Sequence, residues 1–143
     1  MAEYKKIINA VDGSKASEHA FNKAVEISKR NSATLVLAHV VDTRTFATAE
    51  AYDKSLSERA EKYAQDLLNE YVENAKEAGV DDVSMVIKYG SPKVVIAKEI
   101  APEYEADLIV VGATGLNAVE RFLIGSVSES ISRYAKCDVL ISR

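Results

Sequence analysis

Three glycines and two serines in the last third of the chain form the pattern best suited to ligand chemistry. Gly112, Gly115 and Gly125 follow a strongly apolar run and lead into Ser126 and Ser128. Glycine lets a backbone approach a ligand closely, and a helix start presents free N–H groups at the positive end of its dipole. The spacing therefore predicts an anion site, most simply a phosphate-binding loop.

A second candidate group follows the first apolar run of the chain. Asp12 comes directly after Ala10 and Val11, and Val40 stands near the end of the second apolar run. A carboxylate at such a position suits a ribose hydroxyl, or a hydrated Mg²⁺ or other divalent cation that bridges phosphates. Asp12 is therefore also the candidate metal ligand, and the Val40 backbone is a candidate contact for a purine edge.

The pattern of apolar residues predicts the elements that must position these groups. Five strands are predicted, at residues 4–11, 34–41, 82–89, 107–111 and 138–142. Each of the four segments between them shows helical periodicity. Crossovers of helix length favour a parallel sheet with helices on both faces and right-handed connections.

The strand order that fits this winding is 3-2-1-4-5. Ligands of such sheets bind beyond the carboxyl ends of the strands, where successive crossovers pass to opposite faces. That point lies between Ala10–Val11–Asp12 and Val111–Gly112. The two candidate groups are therefore expected to meet in one crevice.

Local signals refine the assignment. Ser14 and Ser91 stand where helix N-caps are expected, and the segment 42–55 is predicted to be a long loop that could contact a ligand. Tyr63 and Tyr71 fall on one helical stripe, which is typical of core packing. His39, inside an apolar strand, is interpreted as a core residue whose hydrogen bonds are satisfied.

Composition narrows the possible partners. The chain has 143 residues, a net charge of −4 and 48% hydrophobic residues, which predicts one globular domain over residues 1–143. The acidic balance disfavours nucleic acid, and no apolar run is long enough to span a bilayer. The lone Cys137 and a polar amino terminus favour a cytoplasmic protein.

The residues together resemble the universal stress protein family. The similarity rests on three features, which are the spacing Gly112-x2-Gly115-x9-Gly125-Ser126, the opening KKIINAVDGS and the strand ending LVLAHVVD. The resemblance implies a Rossmann-like fold of the adenine nucleotide alpha hydrolase-like kind and a homodimer that pairs through the last strand. It further implies membership of the ATP-binding subgroup, with a role as a nucleotide-dependent sensor or switch in the stress response.

The resemblance also assigns roles by matching position. Ala10, Val11 and Asp12 would line the adenosine side, and Val40 would contact adenine through its backbone. The ribose and the phosphates would be held by the residues of the glycine loop and the helix start after it, namely Gly112, Gly115, Gly125, Ser126 and Val127. Val111, at the end of the fourth strand, and Ser128 complete the set of candidate site residues. Thr114 departs from the basic residue that the family commonly has between the first two glycines.

Three other functions remain open from the sequence. A weak ATPase or phosphotransfer enzyme is disfavoured because no lysine follows Gly115 or Gly125, as a P-loop would require. A phosphoacceptor receiver domain would need an aspartate after the third strand, where the chain has Tyr89-Gly90-Ser91. A protein-interaction module of the same fold that binds no nucleotide is the remaining alternative.

Overall fold

The computed structural model describes residues 4–43, 54–114 and 124–143. Within them, five parallel strands form one sheet in the order β3-β2-β1-β4-β5, which confirms the predicted order. The strands are β1 (Lys6–Ala10), β2 (Thr34–Asp42), β3 (Val83–Gly90), β4 (Leu108–Gly112) and β5 (Asp138–Ser142). The predicted helical turn at 117–122, Gly115 and most of the predicted loop at 42–55 lie outside the described residues.

In the described ranges, four helical segments connect the strands. They are α1 (Lys15–Asn31), α2 (Lys54–Ala78), α3, which comprises Pro92–Val95, Ile96–Ile100 and Ala101–Glu103, and α4 (Ser126–Tyr134). The middle part of α3 is one π-helical turn. The four helices predicted between the strands are confirmed, with ends within a few residues of those expected from the sequence.

The helices cover both faces of the sheet. On one face, α1 and α2 bury a cluster that includes Phe21, Leu68 and the β1 residue Ile7. On the other, α3 and α4 bury a cluster that includes Ile100, Ile131 and the β1 residue Ile8. Successive β1 residues enter opposite clusters because side chains alternate along a strand. A strand buried on both faces therefore reads as the continuous apolar run seen in the sequence.

The two predicted serine caps differ. The Ser14 side chain accepts a hydrogen bond from the Ser17 N–H at 3.1 Å, so it caps α1 as expected. Ser91 occupies the residue before α3, but its hydroxyl makes no capping bond, and only its carbonyl is used, by the N–H groups of Val94 and Val95. The expectation for Ser91 was therefore correct in position only. Pro92 follows it and needs no N–H partner there.

The edge where the strands begin, which we call the amino rim, is tied by carboxylates. Asp107 accepts the N–H groups of Lys5 and Lys6 at 2.8 and 3.1 Å. Asp138 accepts the Tyr4 hydroxyl at 2.8 Å. In the same way, Asp82 accepts the Thr34 hydroxyl at 2.8 Å. These bonds join residues that are between 48 and 134 positions apart in the chain.

Among the described residues, no helix combines the length and the hydrophobicity that a membrane crossing requires. The described part of α2, for example, carries charged residues throughout its length.

Candidate functional site

The starts of α1 and α4 converge on Gly112, at the edge where the strands end, which we call the carboxyl rim. A Cβ added to Gly112 would lie 2.7 Å from the carbonyl carbon of Ala16 and 2.8 Å from its oxygen. From the other face, the buried Ser128 hydroxyl donates to the Gly112 carbonyl. One residue therefore joins two helix N-termini, and Gly112 must be glycine for packing against α1.

Asp12 leads from β1 into α1 and is held by short local bonds. Its N–H donates to the Ser17 hydroxyl oxygen at 3.0 Å, and its Oδ1 accepts the Ser14 N–H at 2.8 Å. No described residue occupies Oδ2. The carboxylate is half-buried, so one oxygen fixes the turn and the other can accept from a ligand.

The Val11 carbonyl is contacted from the neighbouring strand. His39 Nδ1 lies 2.7 Å from this oxygen. A carbonyl only accepts hydrogen bonds, so Nδ1 carries the proton and donates it. His39 is half-buried, so it is not the core residue that was expected, although one of its ring nitrogens is hydrogen-bonded as expected. The bond ties the ends of β1 and β2 together beside Asp12.

Tyr63 does not lie in the core, which corrects the expectation from its helical stripe. Its side chain is 51% exposed, and its ring meets the His39 ring edge-on with centroids 6.2 Å apart. The Tyr63 hydroxyl lies against Gly13, since a Cβ built there would be 2.5 Å from it. Tyr71, on the same stripe, does pack, with its ring 4.6 Å from that of Phe21. Burial and the Glu18 carboxylate raise the pKa of the Tyr71 hydroxyl.

The start of α4 offers backbone donors. The first bond within the helix runs from the Glu129 N–H to the Gly125 carbonyl at 3.0 Å. The N–H groups of Ser126, Val127 and Ser128 therefore precede the helical ladder and have no partner among the described residues. The Gly125 N–H instead donates to the Ala113 carbonyl at 2.6 Å, and the Ser128 hydroxyl is used by Gly112. The Gly125 N–H and the Ser128 hydroxyl are therefore already in use, whereas the Ser128 N–H can still donate to a ligand.

The aliphatic candidates are positioned by the core. Ala10, Val40 and Val111 are all less than 10% exposed and belong to the cluster under α3 and α4. Val11 is also buried, on the opposite face. Their side chains are thus committed to packing, and any contact they make with a ligand must come from backbone atoms.

A metal would find few ligands here from the protein alone. In residues 4–43, 54–114 and 124–143, no group of three or more histidine, cysteine, aspartate or glutamate side chains could hold an ion. Asp12 is a single carboxylate, and Thr114, which follows the end of β4, is half-buried. A divalent cation would fit only where a ligand's own oxygens completed its shell, which is how Mg²⁺ usually binds with phosphates.

Sequence reasoning missed two contributors to this site. Ser17 holds the Asp12 N–H, and Tyr63 covers the turn at Gly13. The signal for Ser17 was its place three residues after the Ser14 cap. For Tyr63 the signal was its position in the first half of α2, because a helix that follows a parallel strand begins at the ligand-binding edge.

Comparisons with known proteins agree with this architecture. The model of the family described as "Universal stress protein family" matches residues 3–143. A Staphylococcus aureus (strain USA300) protein named as a universal stress protein is 52% identical over 143 residues, covering 100% of this chain and 86% of the relative. The structure of the universal stress protein UspA from Lactobacillus plantarum superposes with a TM-score of 0.88 at 34% identity, with 100% of both chains covered.

A further solved structure, a universal stress protein in complex with cAMP, has a TM-score of 0.74 and 31% identity, covering 98% of this chain and 97% of that one. The likeness in each case extends over nearly the whole of the chain, including both halves of the candidate site. The fold, the strand order and the family model thus agree, and the chain belongs to the universal stress protein family.

Proposed function

We propose that this protein binds an adenine nucleotide, ATP in the first instance, in the crevice at the carboxyl rim. In this role it acts as a nucleotide-dependent sensor or switch in the stress response of the cytoplasm. The observation that carries the proposal is the convergence of α1 and α4 on Gly112, where two helix N-termini reach the same residue from opposite faces. Two positive helix ends that meet favour a negatively charged ligand.

The donors and acceptors at this rim match the parts of a nucleotide. The N–H groups of Ser126, Val127 and Ser128, with the Ser126 hydroxyl, suit phosphate oxygens. Asp12 Oδ2 suits a ribose hydroxyl, or a cation held between the carboxylate and the phosphates. The backbone of Val40 is the candidate contact for adenine. Gly115 belongs to the proposed phosphate loop by sequence alone.

The relative bound to cAMP gives independent support for the ligand class. It contains an adenine nucleotide on the same fold at 31% identity. The choice of ATP over other adenine nucleotides rests on the glycine spacing Gly112-x2-Gly115-x9-Gly125-Ser126. Calorimetric titration with ATP, ADP, AMP and cAMP would rank the four ligands directly.

We propose that turnover of the bound nucleotide is slow or nil. Hydrolysis needs a base or a group that orients water close to the phosphates. Asp12 and His39 are titratable groups at this rim, and one polar atom of each already bonds the protein. A steady-state release of phosphate faster than about one per minute, at the scale of slow nucleotide switches, would contradict this part of the proposal.

The test of the binding site is Asp12→Asn. Asparagine retains an oxygen for the Ser14 N–H, so the turn should be kept, while the negative charge that faces the ligand is lost. We expect affinity for Mg²⁺-ATP to fall at least tenfold, and affinity for ATP without a divalent cation to change less. Asp81→Asn, at an exposed aspartate, changes the net charge equally and serves as the matched control.

Two results would overturn the proposal. One is wild-type protein that shows no heat of ATP binding and no rise in melting temperature at millimolar ATP, since a ligand specific for the folded state must stabilise it. The other is equal loss of affinity in the Asp12 and Asp81 variants. The first result would favour the interaction module that binds no nucleotide.

We further propose that two copies pair through β5. This strand pairs with β4 alone among the described strands, and its residues Val139, Leu140 and Ile141 are half-buried. An edge of this kind leaves backbone groups free to pair across a two-fold axis. Sedimentation should give a dimer at tens of micromolar, and a monomer at that concentration would refute the interface.

A further inference from the structure

Two side chains hold the segment that carries Asp12 without being part of it. The His39 Nδ1–H donates to the Val11 carbonyl at 2.7 Å, immediately before Asp12. The Tyr63 hydroxyl lies against Gly13, immediately after Asp12. The two rings also contact each other edge-on, with an interplanar angle of 69°. They come from different elements, β2 and α2, and form one unit.

The exposure of Tyr63 is informative because the ring is large and apolar. A tyrosine that served only the core would pack against it as the half-buried Tyr71 does, whose ring lies on that of Phe21. Tyr63 is 51% exposed and yet directs its hydroxyl at the turn beyond β1. Its contacts with Gly13 and His39 both lie at the carboxyl rim, which indicates a role there.

Gly13 explains why the turn needs external support. It has φ of +86°, a conformation that side chains disfavour, and a glycine is intrinsically free to leave it. The Asp12 N–H and Oδ1 are fixed by Ser17 and Ser14, which both belong to the start of α1. Those bonds orient the residue relative to the start of α1, where the Ser17 hydroxyl also donates to the Ala10 carbonyl of β1 at 3.5 Å. On the side of β2, the Val11 N–H donates to the Ala38 carbonyl at 2.8 Å, and the contacts of His39 and Tyr63 add to this bond.

We propose that His39 and Tyr63 are positioning residues, a clamp that sets the direction of the Asp12 carboxylate and thereby the affinity for the nucleotide. The proposal rests on the adenine-nucleotide function given above. His39 holds the residue before the carboxylate and Tyr63 covers the residue after it. Both act through the Val11–Gly13 segment, and neither need touch the ligand. The clamp makes the position of α2 part of the binding site.

The first test compares His39→Asn with His39→Leu. The two new side chains have the same number of heavy atoms, but only asparagine carries an N–H donor where the histidine has Nδ1. We expect the leucine variant to bind ATP roughly fivefold to tenfold more weakly than the asparagine variant, the effect of about one hydrogen bond. Calorimetry gives both affinities. Equal affinities for the two variants would overturn the role of His39.

The second test uses Tyr63→Ala, which changes an exposed residue and so should leave the fold intact. Loss of the ring contact should weaken ATP binding roughly threefold to tenfold, in line with the value of an aromatic pair. Tyr134→Ala removes a tyrosine of similar exposure at the far end of α4 and is the control. An effect in Tyr134→Ala as large as that in Tyr63→Ala would contradict the clamp.

A measurement without nucleotide separates this proposal from the function on which it rests. Amide hydrogen exchange at Asp12, Gly13 and Ser14 should be faster in His39→Leu and Tyr63→Ala than in wild type, with Lys5 and Lys6 unchanged. If wild-type protein fails to bind ATP, the proposed function fails, and this local exchange still decides whether the clamp exists. Unchanged exchange at all three amides would overturn the clamp even if ATP binds.

Discussion

At the amino rim, carboxylates bond to residues far away along the chain, whereas at the carboxyl rim the polar side chains bond mostly to nearby backbone. Asp107 reaches 102 positions to Lys5. Asp12, by contrast, accepts from Ser14 two positions on. Long-range bonds secure the sheet, and local bonds shape a turn while leaving one carboxylate oxygen for another partner. The difference indicates which rim is built for stability and which for binding.

The substitution Gly112→Ala should have the largest effect, because it strikes the junction of the carboxyl rim. The new Cβ would meet the Ala16 backbone at 2.7 Å, and a backbone cannot rotate away as a side chain can. We expect a loss of about 3 kcal/mol in unfolding free energy, and a fall in melting temperature of roughly 6–12 °C. Urea titration and calorimetric melting measure these. Full rescue by an added Ala16→Gly change would show that the clash is not with backbone.

At the amino rim, Asp107→Ala removes the acceptor of two N–H groups. We expect a loss of about 2 kcal/mol in unfolding free energy, since bonds to a charged acceptor are among the stronger ones. Asp107→Asn keeps one acceptor oxygen and should lose about half as much. Nucleotide affinity should be unchanged in both. A clear loss of affinity would mean that the two rims are coupled more closely than their separate bonds suggest.

A smaller effect is expected for Ser128→Ala, which leaves the buried Gly112 carbonyl without its hydroxyl donor. The expected cost is about 1 kcal/mol, measured by urea titration. Ser132→Ala, which removes an exposed bond to the Glu129 carbonyl in the same helix, should cost almost nothing. Equal costs would show that the α4 contact at Gly112 adds no stability to the carboxyl rim.

The smallest effect is expected for the pKa of the Cys137 thiol, which lies beside the amino rim. Burial raises this pKa most, and the Asp138 carboxylate raises it further. The folded state therefore favours the neutral thiol, and the stability that this contributes is present below the ordinary thiol pKa and lost as pH rises through the raised one. Alkylation by a thiol reagent should reach half its maximal rate at a higher pH than in the unfolded chain. Asp138→Asn should move that midpoint part of the way back.

Most of the fold followed from the sequence because its signals are local. Continuous apolar runs indicate strands buried on both faces, and the winding rule then gives the strand order. Ser14 caps α1 where the sequence predicted a helix start. The Ser91 hydroxyl was the exception, since its carbonyl alone was enough to start α3.

The sequence predicted which residues belong to the candidate site better than it predicted their contacts. As predicted, Asp12 and the start of α4 lie at the carboxyl rim. The sequence did not predict that Gly112 is constrained by packing against Ala16 of α1. These two residues are 96 positions apart, and no local pattern reveals a contact over that separation. Tyr63 was misplaced for a geometrical reason. With 25 residues, α2 is about 37 Å long, whereas the nine residues of β2 span about 30 Å. The helix is longer than the strand, so the stripe that holds Tyr63 and Tyr71 extends from the core to the carboxyl rim.

The central place of β1 has a consequence for the order in which the protein can fold during synthesis. β1 pairs with β2 on one side, but its other partner is β4, and Ile7 must wait for Leu108 to be made. Until then, one edge of the first strand has no native partner. The first three strands with α1 and α2 can assemble early as a half-sheet, and the nucleotide crevice can form only when the last third of the chain leaves the ribosome.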